Sequence, residues 1–443
     1  MIPQKKESWP RFLVFIALLC AAVFLANTFF IRLDAASYMT LHEMKTRSDI
    51  ELALVGSSVV RNQFNPEIIS GITGKKTFNV ALPCLGMQGS LAAISMMYDT
   101  NSPEWTVLVV EHDTFCIPVE LPDAQERLMP QLTGPLRRLR YYLDLCSQDG
   151  EYFNRLFLFK RLHVESLNDL KKTLSLRFDP DGYLERHPGL VSGTDVYQGH
   201  GFVRMELQED IPAFLRSQHL TPDSFQGYGQ LTAYSKQKLL EYKALCERNG
   251  SRPLVIFSPN LTARTLAEPN FVSMKKSVAA FLDAQGIPFF DFSLARPELM
   301  ENLDPYYLDY FHVNAEGADV LSAAFARFFS LYANGEDVSG LFYPSQEAYL
   351  ETIDFITNVY ADLSYEGDDA LVTAGCNRGP DVTPLYRFVL ERPDGSETVL
   401  RDYSAESTCR IPRGALSGNT LRVFARPAEG GAGSPVYDEL TVW

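Results

Sequence analysis

Five short apolar runs punctuate the chain: IELALVG from Ile50, TFNVAL from Thr77, TVLVVEH from Thr106, PLVIFSP from Pro253 and IPFFDFS from Ile287. They are nearly continuous, the pattern of strands covered on both faces. Between them lie longer helix-like segments: GSLAAISMMYD from Gly89, LTAYSKQKLLEYKALCERNG from Leu231 and FVSMKKSVAAFLDAQG from Phe271. The last two finish in Gly, a common helix stop. AEGADVLSAAFARFFSLYANG from Ala315 closes the set, with Asn314 as N-cap and Gly335 marking the end. Strands alternating with helices predict an α/β domain over 49–335, a parallel sheet in three layers.

Three regions depart from that alternation. Residues 116–230 are rich in Arg, Leu, Tyr and Pro with turn signals such as DPDGY, and read as an insertion that either shapes substrate access or caps the sheet. Residues 345–443 carry short alternating runs, YRFVLERPDGSETVL and NTLRVFARPAEGG among them, split by Asp-Gly and Gly-rich turns. That pattern predicts a β-sandwich. At the other end, FLVFIALLCAAVFLANTFFI runs 20 residues from Phe12 to Ile31 without a charge, enough helix for a hydrocarbon core about 30 Å thick.

Lys5, Lys6 and Arg11 precede this apolar run. Positive residues stay in the cytoplasm, so 1–11 reads as a cytoplasmic tail, 12–31 as a single-pass anchor, 32–48 as a linker and the rest as extracytoplasmic. A cleaved signal peptide is the rival reading, since small residues follow at DAAS from Asp34. Either way the body lies outside.

Charge and cysteine content narrow the function. A formal net charge of -15 with no basic stripe argues against a nucleic-acid partner. Seven cysteines are too few for a disulfide scaffold, and Cys20, Cys84, Cys116, Cys146 and Cys246 show no metal-ligand spacing. Cys376 and Cys409 either pair in an oxidising exterior or stay as buried thiols. Nor do His42, His163, His187, His200 and His219 suggest a metal site.

Two stretches can carry chemistry. ELALVGSSVVRNQFNP, from Glu51, ends an apolar strand in Gly56, Ser57 and Ser58, where ligands bind in open α/β sheets. A serine there is a nucleophile or a turn and cap residue. DYFHVNAEG, from Asp309, places Asp309 three residues before His312, close enough for the carboxylate to orient the imidazole. Capping and surface polarity explain such a pair equally simply.

A serine after the first strand together with Asp-x-x-His before the last helix resembles the SGNH (GDSL-like) hydrolase family, over about 49–333 without the insertion. The resemblance implies a flavodoxin-like fold and puts Ser58 at the nucleophile, His312 at the base and Asp309 as its orienting partner. Ser57 stands where that family has Asp, as in membrane-anchored relatives similar to D-alanine-transfer and polysaccharide O-acetylation proteins. The oxyanion hole would use the N–H groups of Ser58 and of Cys84 or Gly86, in NVALPCLGMQG from Asn79. The next block departs: its usual Asn is missing from Glu111-His112-Asp113-Thr114. His112 either donates there or is a satisfied strand-end histidine. Arg61 either binds an anionic substrate or forms a surface salt bridge.

The resemblance implies a bacterial serine esterase acting on O-acyl esters of a cell-envelope polysaccharide, without a cofactor, beside a membrane-bound acyltransferase. Two alternatives stay open: an O-acyltransferase passing an acyl group from that partner to a glycan, and a catalytically silent scaffold whose β domain binds glycan.

Overall fold

The computed structural model describes residues 8–111, 114, 125–189, 194–218, 220–222, 224, 229–268, 270–428 and 436–441. Its first helix, α1 (Ser8–Phe29), has 22 residues, about 33 Å at 1.5 Å per residue. With a mean hydropathy of 2.5 and none of its most apolar stretch buried, it is long and apolar enough to cross a membrane. The helix stops two residues before the apolar run does. Phe30 and Arg32 leave it to pair with the insertion, Arg32 N–H donating to Leu162 O at 2.7 Å and Phe30 O accepting from Val164 N–H at 3.0 Å. Where the sequence suggested a linker, α2 (Ala35–Thr46) forms instead. Asp34 caps it through the Ser37 N–H, and Met39, Leu41 and Met44 are buried.

All five expected strands form. β1 (Leu52–Val55), β2 (Thr77–Asn79) and β3 (Trp105–Val110) precede the insertion. α3 (Ser58–Gln63), α4 (Pro66–Thr73) and α5 (Met87–Met97) lie between them. The insertion contributes α6 (Pro135–Asp149), α7 (Tyr152–Arg155), α8 (Leu167–Phe178), α9 (Pro180–Arg186), the hairpin β4 (Asp195–Gly199) and β5 (Phe202–Met205), and α10 (Ile211–Gln218). The alternation then resumes with α11 (Ala233–Arg248), β6 (Arg252–Phe257), α12 (Thr262–Ala267), α13 (Phe271–Ala284), β7 (Phe289–Asp291) and α14 (Ala315–Ala333). The sheet runs β2-β1-β3-β6-β7. It is a parallel sheet flanked by helices, with Leu52 opposite Thr77 on one side and Trp105 on the other. β1 and β3 are buried throughout, as their unbroken apolar character requires.

The chain forms two compact units, one from 1–109, 117–205 and 234–254, the other from 110–116, 206–233 and 255–443. Within the second, α15 (Gln346–Leu350) leads into an antiparallel β region. β8 (Ile356–Glu366), β9 (Asp369–Arg378) and β12 (Thr408–Pro412) form one sheet, ordered β12-β9-β8; β10 (Pro384–Glu391), β11 (Glu397–Ser404), β13 (Thr420–Pro427) and β14 (Val436–Thr441) form the other, ordered β11-β10-β13-β14. They share one core, Phe388, Leu421 and Val423 meeting Ala370, Val372 and Ile411, which fits a sandwich. Cys376 and Cys409 are both free thiols. The Tyr386 hydroxyl donates to Cys376 Sγ at 3.4 Å.

Gly56 is required at the end of β1. A Cβ there would sit 2.4 Å from Val60 Cγ2 and 2.6 Å from Val109 O. Gly56→Ala is therefore expected to lower stability by about 1–3 kcal/mol, read as an earlier denaturation midpoint of the detergent-solubilised chain, because the Val109 carbonyl cannot move aside as a side chain would.

Candidate functional site

The segment after β1 settles which of its two serines does the capping. Ser57 is the N-cap of α3, its Oγ accepting from the Val59 N–H at 3.3 Å, and Ser58 is the first residue of the helix. The cap reading therefore falls on Ser57. Asn79, buried at the end of β2, holds the other end of α3. Its side-chain NH₂ donates to Val60 O at 2.7 Å and to Phe64 O at 3.1 Å, while its Oδ1 accepts from the Ala81 N–H at 3.1 Å.

β1 and β2 run parallel, so Gly56–Ser58 and the segment after Asn79 leave the same edge of the sheet. They are joined directly there, Leu82 N–H donating to Gly56 O at 3.3 Å. The structure thus brings Ser58 and the Cys84–Gly86 segment to one rim. Cys84 is exposed and holds a left-handed backbone at φ 53°, uncommon for a residue with a Cβ. Its carbonyl accepts from the Gln125 side chain at 2.7 Å. Gly86 is the N-cap of α5. After β3, Glu111 N–H donates to Thr114 Oγ1 at 3.2 Å. His112 lies outside the described residues, so that assignment stays an expectation.

In the second unit the Asp-x-x-His segment forms a closed loop just before α14. Leu308 N–H donates to His312 O at 2.7 Å and Asn314 N–H to Tyr306 O at 2.7 Å. Asn314 then caps α14 as expected, accepting from Gly317 N–H at 3.0 Å. Inside the loop one carboxylate serves three donors. Asp309 Oδ1 accepts from the backbone N–H groups of Phe311 at 2.7 Å and His312 at 2.8 Å, and Oδ2 lies 2.8 Å from His312 Nδ1. Burial pushes the Asp309 carboxyl up, but the His312 ring and those two N–H groups outweigh it and hold it below the usual carboxylate range. An ionised carboxylate on Nδ1 fixes the tautomer and leaves proton transfer to Nε2.

Arg61, on α3 one turn after Ser58, forms the expected ion pair from a nearly buried position. Its side chain is only 12% exposed, 3.9 Å from Asp34, and burial pulls the guanidinium below its ordinary value against the carboxylates of Asp34 and Asp195. It lines a cleft of about 650 Å³ with Arg32, Arg127, Arg161 and Lys172. His163 and His187 line it too. Sequence reasoning missed this basic cleft because its walls come from segments scattered across the exit from α1, α3 and the insertion.

Among the described residues no group of three or more His, Cys, Asp or Glu side chains is placed to hold a metal ion. No known family model matches the chain, and no curated protein matches it significantly.

Proposed function

We propose that the protein is an SGNH-type serine esterase, anchored by α1 with its body outside the cytoplasm, acting on O-acyl esters of a cell-envelope polysaccharide. The observation that carries this reading is the 2.8 Å contact between Asp309 Oδ2 and His312 Nδ1, with the same carboxylate pinned by two backbone N–H groups. A merely capping aspartate has no need of the ring. Ser58 supports it from the other stretch, standing just beyond the carboxyl end of a central parallel strand, where such sheets bind ligands.

The mechanism requires Ser58 Oγ to come within hydrogen-bond reach of His312 Nε2. Ser58 then attacks the ester carbonyl carbon as its proton passes to Nε2, and Asp309 stabilises the imidazolium. Backbone N–H groups of Ser58 and of Cys84 or Gly86 receive the oxyanion. The intermediate collapses, the sugar oxygen leaves with the proton from Nε2, and the acyl group stays on Ser58. Water releases it as free acid; a second sugar hydroxyl would take it as a new ester. Incubation of the purified chain with an O-acetylated polysaccharide is expected to liberate acetate. Acetyl groups appearing on an added unmodified glycan, with no free acetate, would assign it as a transferase instead. Neither product from any acylated glycan would leave the silent scaffold.

A further inference from the structure

The basic cleft opens at the level where the chain leaves α1. The last turn of that helix is bound to the insertion: the Asn27 side chain donates to Leu156 O at 2.8 Å and accepts from Phe159 N–H at 3.1 Å. Ile31 then pairs with His163, the cleft's own wall, in an antiparallel bridge. This wall is firmly built. Arg155, 1% exposed, contacts the fully buried Glu126 at 2.9 Å and Asp149 at 2.5 Å, and Arg161 meets Glu126 at 2.9 Å.

Two features of the surroundings stand out in a chain of formal net charge -15. Five Arg or Lys side chains line the cleft against the carboxylates of Asp34, Glu165 and Asp195. Arg32 faces Glu165 at 3.5 Å and Arg61 faces Asp34 at 3.9 Å, whereas Arg127 and Lys172 have no carboxylate partner among the described residues. Beside the anchor exit the insertion also exposes Phe153 (69%), Leu167 (76%) and Phe178 (71%). The Phe178 ring stacks on Phe29 of α1, centroids 6.0 Å apart. Aromatic and aliphatic side chains continuous with a spanning helix, next to cations without a carboxylate partner among the described residues, are what the headgroup region selects.

We infer that this cleft holds the phosphate headgroup of an anionic membrane phospholipid, with Arg127 and Lys172 as its principal cations and Phe153, Leu167 and Phe178 seated in the leaflet beside α1. The inference rests on reading α1 as a retained anchor. An occupied cleft would set the height and tilt of the first unit over the membrane, and through Arg61 it touches the helix that begins at Ser58.

The test uses the full-length chain in neutral detergent, with its melting midpoint followed on addition of short-chain phosphatidylglycerol, short-chain phosphatidylcholine or inorganic phosphate. Phosphatidylglycerol is expected to raise the midpoint, phosphatidylcholine to leave it unchanged and inorganic phosphate to act only weakly. The phosphatidylglycerol shift should vanish in the double variant Arg127→Glu, Lys172→Glu and persist in a charge-preserving Arg127→Lys. Equal shifts with both lipids, or a shift retained in the double variant, overturn the site. Inorganic phosphate matching phosphatidylglycerol overturns the lipid assignment. Alkaline carbonate extraction of membranes checks the anchor separately: a chain released to the supernatant refutes retention of α1 without altering the detergent result.

Discussion

Ser58→Ala is expected to reduce kcat on an activated ester such as p-nitrophenyl acetate by on the order of 10⁴- to 10⁶-fold, and His312→Ala to do nearly the same. The two losses should not add, because nucleophile and base perform one step and removing either abolishes it. The neighbouring serine provides the control. Ser57 Oγ caps α3 through Val59 N–H, so Ser57→Ala is expected to cost about 0.5–2 kcal/mol of stability and leave most of the turnover. Reversed outcomes, with Ser57→Ala inactive and Ser58→Ala active, would move the nucleophile by one residue. Melting midpoints measured on the same preparations separate lost chemistry from lost fold.

Asp309→Asn is the second large effect, a fall in kcat of about 10⁴-fold with the loop intact. The amide oxygen can still accept from the Phe311 and His312 N–H groups that Asp309 Oδ1 holds at 2.7 and 2.8 Å. The amide NH₂ then faces Nδ1, which must become an acceptor. Nε2 is left carrying the proton and cannot take another from serine. Asp309→Ala loses the loop's backbone contacts as well, so its melting midpoint should drop while that of Asp309→Asn hardly moves. The pH dependence follows the sign of the shift. Asp309 is held below the usual carboxylate range, so its contribution to stability is fully present above the ordinary carboxylate pKa. It is lost as pH falls through the lower folded value.

Much of the fold was legible because the buried strands leave so little choice. The runs at Ile50, Thr77, Thr106, Pro253 and Ile287 all became neighbours in one sheet, since continuous apolar segments have nowhere else to go. The helix from Ala315 was legible down to its Asn314 cap, a local interaction that needs no tertiary knowledge. The segment 32–48 was not. α2 buries Met39, Leu41 and Met44, yet its sequence has no sustained apolar stripe, and only packing against the insertion reveals its place. The insertion helix α6 misleads in the opposite sense: Leu136, Leu139 and Leu143 lie on its exposed face, while Tyr141, Leu145 and Cys146 are inside.

The site shows the same division. Asp309 and His312 are three residues apart, so sequence spacing alone predicts their contact. The cap on Ser57 is equally local, reaching only Val59, whereas the clamp by Asn79 and the burial of Arg61 depend on segments distant in the chain. Arg127 and Lys172 carried no signal at all, standing 45 residues apart in a stretch with many other Arg and Lys residues.

The central claim is that Ser58 is a hydroxyl activated by His312, and covalent labelling by a fluorophosphonate followed by peptide mass mapping tests it most directly. A single adduct is expected on the peptide containing Ser58, absent from Ser58→Ala and from His312→Ala. An adduct that persists in Ser58→Ala, or full labelling of His312→Ala, would contradict it.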